Sequence, residues 1–297
     1  MCSVPIQDIP DSPVTGESPS ANEDTDSLPV AQRRSRRQIH APQKYDPVHE
    51  PKRGAARTFA IGTEDEPTLK QTMESEHWPE WLAAIYEELE SLKEMGVYEE
   101  VDQLPLDRKA VGSKWVFRLK RDEHGEIVRH KARLVAQGYT QIPGQDFNHT
   151  FAPVARWDSI HFILSLTAIY DWELRHLDVK TAFLNGILKE EVYLRRPEIL
   201  GHGYWRLIKA LYGLKQSGRE WYLDIDRTYR EMNYTHCESD WSVHRRREGN
   251  NISVTATSVD DILHATNSKA KANNFIEGLK SKYQITDIGE ATWILGC

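Results

Sequence analysis

The stretch SVTATSVDDILHAT, residues 253–266, sets two aspartates side by side inside a strand-like run. Val254 and Ala256 alternate with Thr255 and Thr257, and Ile262 and Leu263 resume the apolar pattern after Asp260 and Asp261. Strands disfavour Asp, and neighbouring carboxylates repel each other. A plain hairpin tip would accommodate the pair sterically, yet hairpin turns usually carry Gly or Asn near the tip, and neither occurs between Asn251 and Asn267. The flanking runs are apolar enough to be central strands, which would bring the carboxylates into the middle of a sheet. Clustered carboxylates there need a counter-charge, and a hard divalent cation such as Mg²⁺, which takes oxygen ligands and pairs with phosphates, supplies one.

A third carboxylate, Asp178, ends another strand-like run, WELRHLDV at 172–179. Two metal ions roughly 4 Å apart on shared aspartates are a device for in-line nucleotidyl or phosphoryl transfer. Such a site also needs cations that do not compete for the metals. The net charge of -7 does not advertise a polyanion binder, but charge is locally concentrated. Between Arg108 and Arg133 stand nine Lys and Arg: Arg108, Lys109, Lys114, Arg118, Lys120, Arg121, Arg129, Lys131 and Arg133. The runs SKWVFRLKR (113–121) and EIVRHKARLVAQG (126–138), joined by DEHG, read as a β-hairpin. Strand parity lines Lys114, Arg118 and Lys120 on one face opposite Trp115 and Phe117, and Lys131 and Arg133 on one face of the partner strand. Such a face can meet a triphosphate or a nucleic-acid backbone; it can equally be a solvated surface.

Around these motifs, helices and strands interleave without steady βα alternation, so the expected class is α+β with antiparallel pairing. Helical spacing of Trp81, Ile85, Leu89 and Leu92 starts order near residue 77, with Gly96 as a stop. A largely buried helix is expected over 158–170, an amphipathic one over 217–233, another near 268–282, and last strands near 283–287 and 291–296. Residues 1–60 lack hydrophobic periodicity, are rich in Pro, Ser, Asp and Glu, and turn basic at RRSRR (33–37), which reads as a disordered linker. No run of about 18 apolar residues occurs and the N-terminus has no signal-peptide pattern, so an intracellular chain without a membrane partner is expected. Cys2, Cys237 and Cys297 are scattered, which indicates neither a disulfide framework nor a zinc site.

Four segments then carry a resemblance. KWVFRLKRDEHGEIVRHKARLVAQGYTQIPGQDFNHTFAPVAR (114–156), LDVKTAFLNGILKEEVYLRRP (177–197), KALYGLKQSGREWY (209–222) and SVDDIL (258–263) occur in this order. They resemble the reverse transcriptase of Ty1/copia-type LTR retrotransposons, over residues 77–297. The resemblance implies the fingers and palm of a right-hand polymerase, with an antiparallel palm sheet packed on helices. Residues 61–297 would form it, ending before a thumb and RNase H, and 1–60 would resemble the junction that follows integrase in a Gag-Pol polyprotein. By the same resemblance, Asp178, Asp260 and Asp261 match the catalytic metal ligands, for two Mg²⁺ with Mn²⁺ as a substitute. Phe183 matches an aromatic gate against the ribose 2′-OH, Gln216 a position touching incoming nucleotide and template, and Lys131 and Arg133 the basic strand facing the triphosphate. Implied partners are an RNA template and DNA primer, dNTPs, and the integrase and RNase H of the polyprotein. The implied location is a cytoplasmic virus-like particle, with the nucleus as the alternative.

The chain departs from the family motif, aromatic-x-Asp-Asp, at Ser258. Two alternatives stay open on the residues alone. One is a degenerate remnant that at most binds nucleic acid. The other is a different two-metal enzyme such as a nuclease, which would give Phe183 no role.

Overall fold

The computed structural model describes residues 65–122 and 124–290. The expected linker over 1–60, the RRSRR run and the last strand near 291–296 lie outside these. Order begins earlier than residue 77, with helix α1 (Leu69–Glu74). Its start is a capping box: the Thr68 side chain accepts from the Gln71 amide, and the Thr68 amide donates to the Gln71 side chain at 2.8 Å. Helix α2 (Trp78–Glu94) buries Trp81, Ile85, Leu89 and Leu92, as their spacing predicts, and ends before Gly96 at φ 62°.

Strand β1 (Tyr98–Val101) precedes the hairpin of β2 (Ser113–Arg121) and β3 (Ile127–Ala136). Its register pairs Trp115 with Leu134, Phe117 with Ala132 and Leu119 with His130 on one face, and Arg118 with Lys131 and Lys120 with Arg129 on the other. The apolar face packs on α2, where the Phe117 ring meets Trp81 edge-on at 5.3 Å. The expected parity of the cations therefore holds.

Helix α3 (Trp157–Tyr170) leads into β4 (Glu173–Val179). Strands β5 (Ile187–Arg195) and β6 (Tyr204–Lys209) form with β1 a three-stranded antiparallel sheet of order β1-β6-β5. Helix α4 (Ser217–Glu231), strands β7 (Thr235–Cys237), β8 (Asp240–Glu248), β9 (Asn251–Ser258) and β10 (Asp261–Thr266), helix α5 (Lys269–Lys280) and strand β11 (Ile285–Glu290) complete the described chain. The second sheet has six strands in the order β11-β4-β10-β9-β8-β7. Its named pairs are antiparallel, which establishes the α+β class.

Helices cover both faces of the six-stranded sheet. On one, Trp221, Ile225 and Tyr229 of α4 and Phe275, Ile276 and Leu279 of α5 pack with Leu177, Val179 and Ile262. On the other, Ile160 and Ile163 of α3 pack with Val243, Ala256, Leu263 and Ala265. Each such buried side chain contributes about 1.5–3 kcal/mol. The structure corrects the expectation that 158–170 is largely buried: only Ile160 and Ile163 of α3 are, while Phe162 is 64% and Ile169 71% exposed. The helix is apolar on all sides, so composition alone overstates how much of it faces the sheet.

Candidate active site

The two aspartate-bearing strands lie side by side in the interior of the six-stranded sheet. β10 pairs with β4 so that Asp261, its first residue, stands directly opposite Asp178. On its other side Asp261 pairs with Ser258, the last residue of β9. Directly opposed residues in an antiparallel pair share a face, so Asp178, Asp261 and Ser258 form a row across three strands. Asp260 belongs to the two-residue turn Val259–Asp260 that closes the β9–β10 hairpin.

The turn has no glycine, and Val259 itself adopts φ 57°. A β-branched residue in the left-handed region is strained, typically by about 1–3 kcal/mol, and stays there only when its surroundings impose it. Two hydrogen bonds from other elements reach the turn. The Trp221 indole N–H of α4 donates to the Val259 carbonyl at 2.7 Å, and the Val179 amide of β4 donates to the Asp260 carbonyl at 2.8 Å.

The carboxylates repel one another as the sequence suggests. Burial, then the charges of Asp260 and Asp261, push the Asp178 carboxyl above its ordinary value, while His176 and Lys131 pull the other way. Asp261 is partly compensated by His176, whose Nε2 lies 2.7 Å from its Oδ1. Lys131 is itself pushed down, by burial and by Arg133, Lys120 and Arg129 around it. A cation strained by its neighbours and acting on Asp178 is the electrostatic link between the hairpin β2–β3 and the carboxylates.

The same link passes through Tyr212. The Arg133 guanidinium lies over the Tyr212 ring, 4.9 Å from its centroid, and the Phe183 ring meets Tyr212 edge-on at 5.5 Å. Burial pushes the Tyr212 hydroxyl up to about 12, against the pull of Arg133, and Glu88, Asp260 and Asp178 add to the rise. Tyr212 therefore stands within electrostatic reach of both the cations and the carboxylates. Phe183 sits on the short 3-10 turn Ala182–Asn185 that follows β4, so β4 positions both Asp178 and that ring.

Of the expected site residues, Asp178 stands opposite Asp261 with Asp260 in the adjoining turn, Lys131 acts electrostatically on Asp178, and Arg133 and Phe183 both meet the Tyr212 ring. The structure does not bring Gln216 to them as a free amide. Gln216 is 0% exposed, its Nε2 donates to the Asp146 carbonyl at 2.7 Å, and its Oε1 accepts from Gln141 Nε2 at 3.0 Å. Gln141 Oε1 in turn accepts from the Lys215 amide at 2.8 Å. Both ends of the amide are used in tying the segment 141–146 to the start of α4. Sequence reasoning missed Tyr212, His176 and Trp221. A Trp on the apolar stripe of an amphipathic helix was the one available signal, because a buried indole N–H needs an acceptor.

Three carboxylates offer hard oxygen donors, which fit Mg²⁺ by chemistry, and their mutual repulsion at Asp178 is what a cation would relieve. Among the described residues, no three His, Cys, Asp or Glu side chains are gathered closely enough to hold an ion as they stand. Asp261 is turned to His176 instead.

The domain is thus antiparallel α+β, with carboxylates on two neighbouring interior strands and a basic hairpin whose Lys131 acts electrostatically on Asp178. The chain belongs to the reverse transcriptase (RNA-dependent DNA polymerase) family, which matches residues 96–297. It is 39% identical over 243 residues to the retrovirus-related Pol polyprotein from transposon TNT 1-94 of Nicotiana tabacum, covering 80% of this chain and 18% of that one. It is 29% identical over 219 residues to the transposon Ty1-DR4 Gag-Pol polyprotein of Saccharomyces cerevisiae, covering 71% and 13%. The chain therefore spans less than a fifth of the length of these relatives, and the resemblance to Ty1/copia-type elements holds across them. Among solved structures it is similar to the foamy viral protease-reverse transcriptase in complex with double-stranded DNA, at 12% identity and a TM-score of 0.34, over 69% of this chain and 30% of that one. That likeness is too loose to carry an argument. No helix among the described residues is long and apolar enough to cross a membrane.

Proposed function

We propose that this chain is the fingers and palm of an RNA-directed DNA polymerase from a retrotransposon Pol polyprotein. It would transfer a nucleotidyl group from a dNTP to a primer 3′-OH, with pyrophosphate leaving. The six-stranded sheet with α4 and α5 reads as the palm, and the hairpin β2–β3 with α2 as the fingers. The observation that carries the reading is the direct pairing of Asp178 with Asp261, with Asp260 in the adjoining turn and Lys131 acting on Asp178.

Asp178, Asp260 and Asp261 would hold two Mg²⁺ ions, or Mn²⁺ in their place. Bound there, the metals supply activation of the 3′-OH and neutralisation of the leaving pyrophosphate. Lys131 and Arg133 bind the triphosphate oxygens. Phe183, braced edge-on by Tyr212, presents a ring against the sugar and disfavours a 2′-OH by steric clash. His176 would orient Asp261 through its Nε2–Oδ1 contact. The partners are an RNA template paired with a DNA primer, dNTPs, and the integrase and RNase H of the same polyprotein. Residues 1–60 serve as the junction, and the setting is a cytoplasmic virus-like particle.

The test is Mg²⁺-dependent extension of a DNA primer on an RNA template. Wild type should extend, and Asp260→Asn should lose on the order of 10³-fold or more. Equal extension by both proteins would remove Asp260 from the site.

One observation favours a second reading, a weakened copy that chiefly binds nucleic acid. Ser258 stands beside Asp261 where the family motif places an aromatic ring. If wild type binds hybrid duplex in a salt-dependent way without extending it, and Ser258→Tyr extends, the serine accounts for the weakness.

A further inference from the structure

We infer that Trp221 is a positioning residue for the carboxylate-bearing turn: its indole N–H holds Val259 in the left-handed conformation from which Asp260 and Asp261 reach a metal. This rests on the reading of those aspartates as metal ligands. The observations are local and independent of it. The turn carries its strain at Val259, φ 57°, where neither Gly nor Asn relieves it. Left to itself, Val would leave that region, and a change of φ at Val259 re-aims Asp260, the next residue. The Val259 carbonyl accepts the Trp221 N–H at 2.7 Å.

Trp221 is well placed to impose a conformation rather than follow one. It is 2% exposed, meets the Tyr283 ring edge-on at 5.3 Å and sits in the core shared by α4, α5, β4 and β10. The backbone of α4 beside it is pressed against the chain leaving β4. A Cβ added to Gly186 would lie 2.7 Å from the Trp221 amide nitrogen and 2.8 Å from the Glu220 carbonyl carbon. Hence α4 touches the segment following Asp178 and the turn bearing Asp260 at one position. Trp221 is the side chain through which the helix sets one carboxylate relative to the other. Partners of metal-ligating groups of this kind typically change metal affinity 10–100-fold when lost.

The experiment titrates Mn²⁺ alone, without nucleic acid, into the full chain and reads free Mn²⁺ by electron paramagnetic resonance. Four proteins are compared with wild type: Trp221→Phe, Val259→Asn, the double variant, and Asp260→Asn. Phe keeps a ring but removes the donor, and Asn accepts the left-handed region at little cost. Trp221→Phe should bind about tenfold more weakly. The double variant should return to within about threefold of wild type, because Asn holds the turn that Trp no longer holds. General loosening of the core would not be rescued at residue 259.

Wild-type affinity in Trp221→Phe, with Asp260→Asn impaired, overturns the clamp and leaves the metal reading standing. A double variant as weak as Trp221→Phe also overturns it. Equal binding by wild type and Asp260→Asn defeats the metal reading itself, and the clamp with it. A measurement on wild type covers failure of Trp221→Phe to fold. Coupling is reciprocal, so saturation with Mg²⁺ must slow hydrogen exchange of the Trp221 indole N–H severalfold. Unchanged exchange overturns the proposal.

Discussion

Two hairpins of this protein carry opposite charge, and they are specified in different ways. In the hairpin β2–β3 the turn is written locally. Asp122 Oδ1 accepts from the His124 and Glu126 amides at 2.9 Å each, and Gly125 takes φ 83° at no steric cost. In the hairpin β9–β10 the turn has no such residues, and its left-handed position is filled by Val259 under hydrogen bonds from α4 and β4. One presents cations, the other carboxylates. The difference teaches that the turn of the cationic hairpin is encoded by its own residues, whereas the turn of the acidic one is held by contacts from other elements.

The largest expected effect separates the two by charge. If the cations serve a triphosphate and the aspartates a metal, Lys131→Gln with Arg133→Gln should lower kcat/KM for dNTP about 30–100-fold, the equivalent of losing charged hydrogen bonds of about 2–3 kcal/mol. Mn²⁺ binding in the same variant should hold or tighten, since Lys131 pulls against cation binding at Asp178. Parallel loss of nucleotide and metal affinity would mean the hairpins act as one structural unit.

The next effect separates them by acid. His264 of β10 is fully buried, stacks on Phe275 at 3.9 Å, and has no hydrogen-bond partner for either ring nitrogen among the described residues. Burial pushes it down to about 3. The ring is therefore neutral when folded and protonates on unfolding below its free value of about 6.5. A group depressed in the folded state contributes stability above its unfolded pKa and loses it as pH falls. Between pH 7 and pH 5 the loss is about 2 kcal/mol. His264→Phe should flatten that part of the urea-midpoint profile. Exchange protection in β9–β10 should fall with acid in wild type while the β2–β3 amides change less. An unaltered profile in His264→Phe would place the acid sensitivity elsewhere.

The contrast also explains what could be read from the residues. The cationic hairpin was legible in its strands and its face parity, because alternation, turn chemistry and apolar face agree. The apolar flanks of the paired carboxylates made them legible as the ends of interior strands, where Asp260 lies in the turn and Asp261 opens β10. The turn between them was not, since its conformation is set by Trp221 from 38 residues away. The burial of Gln216 was hidden for the same reason: a polar residue at the start of a helix looks accessible until the fold packs it against Gln141 and the Asp146 carbonyl. Helix α3 misled oppositely, because an apolar sequence without a one-sided stripe does not say which face is covered.

The smallest effect is the sharpest test of the two turns, since both place one residue in the left-handed region. At Gly125 a Cβ would meet nothing within 4 Å, so the cost of Gly125→Ala is backbone alone. It should destabilise by about 1 kcal/mol. At Val259 the strain is already present, and Val259→Asn should stabilise by about 0.5–1 kcal/mol by exchanging a β-branched residue for one that tolerates φ near 60°. Opposite signs in urea denaturation, at two positions of similar φ, would show that the cationic turn was chosen by its own residues and the acidic turn imposed from outside. Destabilisation at both would mean that Val259 is held by its side-chain packing, and the contrast between the hairpins would reduce to charge.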